Sequence, residues 1–283
     1  MALPAYAGPL ERTWYYSYRV ICAAIFLFLI APILVIIPLS FNAVPFFTFT
    51  PEMLSFDPAG YSLRWYRDFV NNPQWIHSLQ NSFIVAIAST ILATVLGTLA
   101  ALGLSRPYTP YKSIIMGLLI SPMIVPLIIS ATGMFFFYSS IGLAQTHLGI
   151  ILAHTALGTP FVVITVTATL IGFDQSLIRA AQNLGASPTT VFFQVIMPLI
   201  LPGVISGGLF AFITSFDEVV VVLFLADFDQ RTIPLQMFSG LREQISPTIL
   251  AVATILVTFS IILLTTVELL RRRNERMRGM SPQ

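Results

Sequence analysis

Six apolar stretches, each long enough to cross a bilayer, constrain this chain more than any other feature. They fall at about 17–40, 79–104, 112–138, 148–172, 199–226 and 247–271. A spanning helix needs about 20 mainly apolar residues to cover the hydrocarbon core. Charge agrees with length: 9% of residues are charged and 56% hydrophobic, whereas a soluble domain carries about 25% charged residues. The predicted class is an all-α polytopic membrane protein with six transmembrane helices. Prolines 32, 38, 122, 126 and 160 are expected to interrupt the spans, as neighbouring helices in a membrane allow. The formal charge of +2 is too small, and its cations too clustered, to suggest nucleic acid as a partner. Cys22 is the sole cysteine, which rules out a disulfide within the chain and argues against thiolate metal sites. The first apolar run continues past Phe41 with no small-residue cleavage site, so it reads as an uncleaved span.

Between the fourth and fifth runs lies a polar connection with its own punctuation, DQSLIRAAQNLGASPTTVFFQVIMPLILP from Asp174 to Pro202. Asp174 is placed to cap a helix through its carboxylate. Leu177, Ala180, Ala181 and Leu184 follow at i, i+3, i+4 and i+7 and form one apolar stripe, with Gln175, Arg179, Gln182 and Asn183 opposite. Gly185 is expected to stop this helix with a positive φ. Ser187 and Pro188 start a second helix as cap and first helical residue, and Pro198 and Pro202 are expected to break the chain before the fifth run. The prediction is a helical elbow at the membrane surface, with one apolar and one polar side, suited to docking something from the water.

Ala180-Ala181, then Gly185 four residues on, then Val195-Ile196-Met197-Pro198, resembles the Glu-Ala-Ala loop of ABC importer permeases. That resemblance implies a type I ABC importer permease (MetI-like) fold, with the elbow seated in a groove of a separate ATPase subunit. Leu177, Arg179, Ala180, Ala181, Leu184, Gly185 and Pro198 are then the ATPase-coupling residues. Arg179 stands where the family has Glu, so the expected pairing of that carboxylate with a base of the ATPase is replaced by some other contact.

Cations orient the chain, because Lys and Arg are retained on the cytoplasmic side. With the N-terminus inside, ten of the 14 fall inside: Arg12, Arg19, Arg106, Lys112, Arg179, Arg271, Arg272, Arg273, Arg276 and Arg278. Arg64, Arg67, Arg231 and Arg242 fall outside. Both termini and the elbow are thus expected in the cytoplasm, where ATP is. The chain reads as a single transmembrane domain over 1–283, with a cytoplasmic N-terminus at 1–16, a periplasmic loop at 42–77, the coupling loop at 174–198 and a cytoplasmic tail at 272–283. Within the loop, Tyr61 to Phe69 reads as a short interfacial helix whose Trp65, Tyr61 and Tyr66 sit at headgroup level. The tail Arg-Arg-Arg-Asn-Glu-Arg-Met-Arg reads as an anchor to anionic lipid.

Asp217 and Glu218 are the acids deep in an apolar run. A membrane carboxylate costs a few kcal/mol unless paired, hydrated or protonated. No span holds a Lys or Arg at comparable depth, so the expected partner is another subunit, water, a proton or a cationic solute. On a continuous helix the two acids point about 100° apart, which gives them different jobs, one facing the solute pathway and one a neighbour. Which of them faces the pathway stays open here. Phe216 beside them could add a cation–π contact. Thr214-Ser215-Phe216-Asp217-Glu218-Val219-Val220, with Arg231-Thr232-Ile233-Pro234-Leu235-Gln236-Met237-Phe238, resembles the spermidine/putrescine-type branch, which also moves opines. His77, His147 and His154 are scattered and lack metal-ligand spacing, so they read as ordinary polar residues, and no metal or catalytic residue is expected. Gly97, Gly103, Gly207 and Gly208 read as points of close helix approach. Lys112, the sole lysine, follows Tyr111, so the Gly-Lys-Ser/Thr of a P-loop is absent and the chain carries no cofactor. ATP and Mg fall to the partner.

The expected function is therefore that of a non-catalytic permease subunit in a bacterial inner membrane, importing a polyamine or a similar cationic or opine-like solute. The resemblance implies a related second permease, two ATPase subunits and a periplasmic solute-binding protein. Other solutes of the class, namely amino-acid derivatives, thiamine or ferric iron, stay open, as does a proton-coupled carrier using Asp217 or Glu218 as relay.

Overall fold

The computed structural model describes residues 8–106, 108–171, 174, 176–243 and 246–277. Among them the chain is helical, with one isolated bridge between Asn42 and Tyr61. In order, the helices are α1 (Pro9–Leu39), α2 (Pro51–Leu54), α3 (Arg64–Asn71), α4 (Pro73–Ser105), α5 (Lys112–Ile124), α6 (Leu127–Ser140), α7 (His147–Ile171), α8 (Ser176–Asn183), α9 (Pro188–Val191), α10 (Met197–Phe216), α11 (Val220–Leu225), α12 (Ile233–Glu243) and α13 (Thr248–Met277). They fall into two compact units, one built from the ends of the chain, up to Asn72 and from Gly240, and the other from Pro73–Ser239.

In the first unit, α1 buries only Leu39, and its large apolar side chains from Val20 to Ile37 lie open. Such a rod suits lipid or another apolar helix. The following segment is held by a buried Asn42, whose Nδ2 donates to the carbonyls of Phe46 and Thr48 at 3.0 and 2.8 Å. The Trp65 indole N–H donates to the Asn42 carbonyl at 2.7 Å, and Trp65 and Phe69 are buried. The short helix of this loop therefore spans Arg64–Asn71, and its tryptophan is a packing residue rather than an exposed headgroup anchor. Thr248 at the start of α13 donates to Asp68 at 2.6 Å, tying α3 to that helix.

The second unit is organised on α4, α7 and α10, which pack together. Small residues set their spacing: a Cβ on Gly97 would sit 2.7 Å from Val162 Cβ, and one on Gly207 would sit 2.7 Å from Val162 Cα. One on Gly208 would meet Thr94 Oγ1 at 3.0 Å. Without a hydrophobic driving force in lipid, such backbone approach is what lets dispersion hold helices together. Gly103 differs from the expectation, since nothing lies within 4 Å of a Cβ placed there.

The spans differ from the expected six in instructive places. Among the described residues, four helices are unbroken and apolar enough to cross a membrane: Pro9–Leu39, Pro73–Ser105, His147–Ile171 and the run Pro188–Phe216. The expected span 112–138 is two helices, α5 and α6, bent by 101°. Pro126 causes the bend, because it pushes the preceding Val125 into extended backbone (φ −69°, ψ 133°). Pro32, Pro38, Pro122 and Pro160 do not interrupt; each lies inside a continuing helix. The expected span 199–226 stops at Phe216 and resumes as α11. The last span, expected at 247–271, begins in α13, which continues through the start of the expected tail to Met277; Arg278 lies outside the described residues.

Candidate functional site

Two places in the second unit concentrate polar groups, and one helical rod joins them. The first is the elbow. Asp174 accepts from the backbone N–H and the hydroxyl of Ser176 at 2.8 and 2.7 Å, turning the chain into α8. These bonds, the Ser176 hydroxyl first, hold its carboxyl below the usual carboxylate range. At the other end Gly185 has φ +81°. The Ala186 N–H returns to the Ala181 carbonyl at 3.0 Å and the Gly185 N–H to the Gln182 carbonyl at 2.9 Å. That pair of bonds is the Schellman closure, which requires a left-handed residue at this position. Ser187 then caps α9, accepting from the Thr190 N–H at 3.2 Å, with Pro188 as first helical residue. Gln175 lies outside the described residues.

No residue of α8 is buried. Leu177, Ala180 and Leu184 are exposed, Leu184 by 88%, and Ala181 is half-buried. Arg179 is exposed on the same short helix. The stripe read from the sequence is thus an open apolar strip on the surface of this chain.

Pro198 and Pro202 do not break the chain as expected. Helix continues from Pro188 to Phe216 over 29 residues. Phe192–Ile196 form a π turn directly before Met197-Pro198. A proline removes one N–H and crowds the carbonyl four residues back; a wider π turn makes room at that point. At 1.5 Å per residue the rod is about 40 Å long. It carries the elbow at one end and Asp217 at the other.

The second place is that far end. Here the α10–α11 break faces the α5–α6 break across a concavity of about 750 Å³. Pro122, Val125, Pro126, Phe161, Thr214, Asp217 and Glu218 contribute to its walls. The expectation that both acids ride one continuous helix is corrected: Asp217 ends α10, and Glu218 lies in the break. Asp217 is exposed, and no described residue donates to its carboxylate. Glu218 is 6% exposed. Its carboxylate accepts from the Val221 N–H at 2.9 Å and the Val222 N–H at 3.1 Å, which satisfies the free amides that open α11. Its Oε2 also faces His154 Nε2 at 3.6 Å. The expected lack of an internal partner is therefore wrong for Glu218, whose partners are the backbone of its own next turn and a histidine. Phe216 packs between Phe212 and Phe83, with centroids 5.5 and 5.3 Å apart, and is not among the walls of the concavity.

His154 is the residue that sequence reading undervalued. It is 1% exposed on α7, and its Nδ1 meets Ser215 Oγ at 2.8 Å, which in turn meets Ser89 Oγ at 2.9 Å. The signal available in the sequence was the polar run Thr214-Ser215-Phe216-Asp217-Glu218, too dense for lipid-embedded helix. His147 bonds Asn81 at 3.0 Å, and no cluster of three metal-ligating side chains occurs among the described residues.

Residues 93–276 match the profile of the family described as binding-protein-dependent transport system inner membrane component. The spermidine/putrescine transport system permease protein PotC of Haemophilus influenzae is 31% identical over 250 residues, covering 88% of this chain and 94% of that protein. The putrescine transport system permease protein PotI of Escherichia coli K12 is 30% identical over 239 residues, covering 82% of each. Among solved structures, a bacterial ABC transporter involved in import of the acidic polysaccharide alginate superposes with a TM-score of 0.74 at 16% identity, covering 94% of this chain and 99% of that chain. At that identity the likeness speaks for the fold alone.

Proposed function

Because the chain belongs to the inner-membrane components of binding-protein-dependent transport systems, and so is a multi-pass permease subunit of an ABC importer, we propose that it imports a polyamine or a closely similar organic cation. The observation that carries this reading is Asp217. It is an exposed carboxylate in a concavity with no donor among the described residues upon it. It ends α10, where the last carbonyls give the helix terminus partial negative charge. Carboxylate and helix terminus together favour a cation over an anion or a neutral sugar. Similarity to permeases named for spermidine and putrescine over more than four-fifths of the chain supports the same solute class.

The elbow is the docking surface for a separate ATPase. Its apolar strip is uncovered in the single chain, and its ends are closed by local bonds, so it keeps its shape while waiting for a partner. Two permeases, this chain and a related second one, line the pathway. Two ATPase subunits, holding ATP and Mg, engage the two elbows, and a periplasmic binding protein delivers the solute. Both chain termini and the elbow lie in the cytoplasm. ATP-driven closure of the ATPases draws the elbows together, and the 29-residue rod carries that displacement to the break beside Asp217. The cavity then opens outward, and hydrolysis resets it.

Uptake of labelled putrescine and spermidine into vesicles holding both permeases, the ATPase and the binding protein tests the solute. The expected result is ATP-dependent uptake that unlabelled polyamine competes away. Uptake that persists without ATP and collapses with the proton gradient would instead establish a proton-coupled carrier.

A further inference from the structure

The two neighbouring acids are treated very differently by the fold. We propose that His154 and Glu218 form a positioning clasp that sets the aim of Asp217, and that Glu218 itself is not a solute ligand. This rests on the pathway role given above to Asp217.

A carboxylate offers about four lone-pair sites. In Glu218 the Val221 N–H is shared between both oxygens at 2.9 Å, and Oε2 also accepts from the Val222 N–H at 3.1 Å and faces His154 Nε2 at 3.6 Å. A solute ammonium would have to displace backbone donors that have no other partner at a helix start. It would also have to reach a side chain that is 6% exposed. Asp217, one residue earlier, has an open carboxylate and no such competitors among the described residues.

The same contacts fix the break. Ser89 on α4 donates to Ser215 on α10, at 2.9 Å, and Ser215 meets His154 Nδ1 on α7 at 2.8 Å. With Ser215 donating to Nδ1, the neutral imidazole carries its proton on Nε2, which points at Glu218. At 3.6 Å this falls short of a full hydrogen bond, and Nε2 has no other partner among the described residues. A buried donor in that position is held by the carboxylate's charge alone. Glu218 in turn holds the first amides of α11. The chain of contacts Ser89–Ser215–His154–Glu218 thus ties α4, α10 and α7 to the break that carries Asp217, and through Glu218 to the start of α11. Cutting one link lets the break turn, and Asp217 turns with it.

Two measurements on the assembled importer test the clasp. In the first, Cys22→Ser removes the native thiol and Asp217→Cys supplies a reporter, whose labelling by a water-soluble methanethiosulfonate is timed. Adding His154→Gln is expected to change the labelling rate about fivefold or more, since a charge-linked contact worth about 1 kcal/mol or more is lost. An unchanged rate overturns the clasp. Should His154→Gln fail to insert, Ser215→Ala cuts the adjacent link and serves in its place, with the same two outcomes. In the second, initial rates of labelled putrescine uptake are measured with the native thiol. His154→Gln and Glu218→Gln are each expected to slow uptake about tenfold, with the double variant no slower than the worse single, because residues acting as one unit are not additive. Fully multiplying effects would make Glu218 an independent ligand and overturn the proposal. If the unaltered importer takes up no putrescine, the solute reading fails, and the labelling measurement, which needs no solute, decides the clasp by itself.

Discussion

The elbow and the α10–α11 break lie at opposite ends of one helical rod, yet they are built by opposite means. Among the described residues, the bonds that shape the elbow are local. Asp174 to Ser176, Ala186 to Ala181 and Thr190 to Ser187 each join residues within five positions of one another. The break depends on residues far off in sequence: His154 meets Ser215 across 61 positions, and Ser89 meets it across 126. A surface made by local rules holds its form without the rest of the fold and can offer itself to a partner. A site made by tertiary contacts changes when the helices around it move. In the function proposed above, the first is the part assigned to the motor's grip and the second the part assigned to the change it drives.

Variants can break or sharpen this contrast, from the largest expected effect to the smallest. Gly185→Val forces a β-branched residue into φ +81°, which costs roughly 1–2 kcal/mol or more through backbone strain. No neighbour lies within 4 Å of the added Cβ, so any effect comes from the turn alone. Putrescine uptake should fall to background while membrane insertion, followed by fractionation, stays normal; Gly185→Asn, tolerated in the left-handed region, should recover part of it. Leu184→Asp comes next. Leu184 is 88% exposed, so stability should shift by less than about 0.5 kcal/mol, whereas ATP hydrolysis stimulated by loaded binding protein should drop about tenfold through loss of a docking contact. Stimulation equal to that of the unaltered importer would show that α8 is not gripped. Asp217→Asn should reduce uptake of a cation by about tenfold, as expected for a lost charge-assisted contact, and leave basal ATP turnover near its original level. Equal loss of both would mark Asp217 as a folding residue. Ser187→Ala is the mildest, removing one N-cap worth about 1 kcal/mol. Hydrogen exchange at the Thr190 amide should quicken about fivefold with exchange at Val221 and Val222 unchanged, since the elbow's caps are independent of the break.

The same contrast explains what could be read in the sequence. The elbow was legible down to single residues because caps, a glycine stop and an N1 proline act within a few positions. The membrane class was legible from length and charge, but six unbroken spans were not borne out among the described residues, where four helices are unbroken and 112–138 is a bent pair. Prolines misled in both directions. Pro198 and Pro202 were expected to break a rod that a π turn at Phe192–Ile196 allows to continue. Pro126, expected as one interruption among several, is the single one of the five anticipated positions that bends its span, by 101°. Proline chemistry fixes where strain arises, while packing decides whether it becomes a kink or a π turn. The His154–Glu218 approach was hidden for a plainer reason. Nothing in a histidine on one apolar run and an acid on another records that their helices will lie side by side.

Everything proposed for this permease requires that the elbow meet a nucleotide-hydrolysing partner from the cytoplasmic side. The direct measurement is cysteine crosslinking in intact importer, with Cys22→Ser and Leu184→Cys in the permease. The predicted result is an adduct between Leu184→Cys and the ATPase subunit, formed at a rate that changes when ATP is added, and no labelling of that thiol by an impermeant reagent applied from the periplasm. A thiol that reacts from the periplasmic side, or that yields no ATPase adduct under any nucleotide condition, would contradict it.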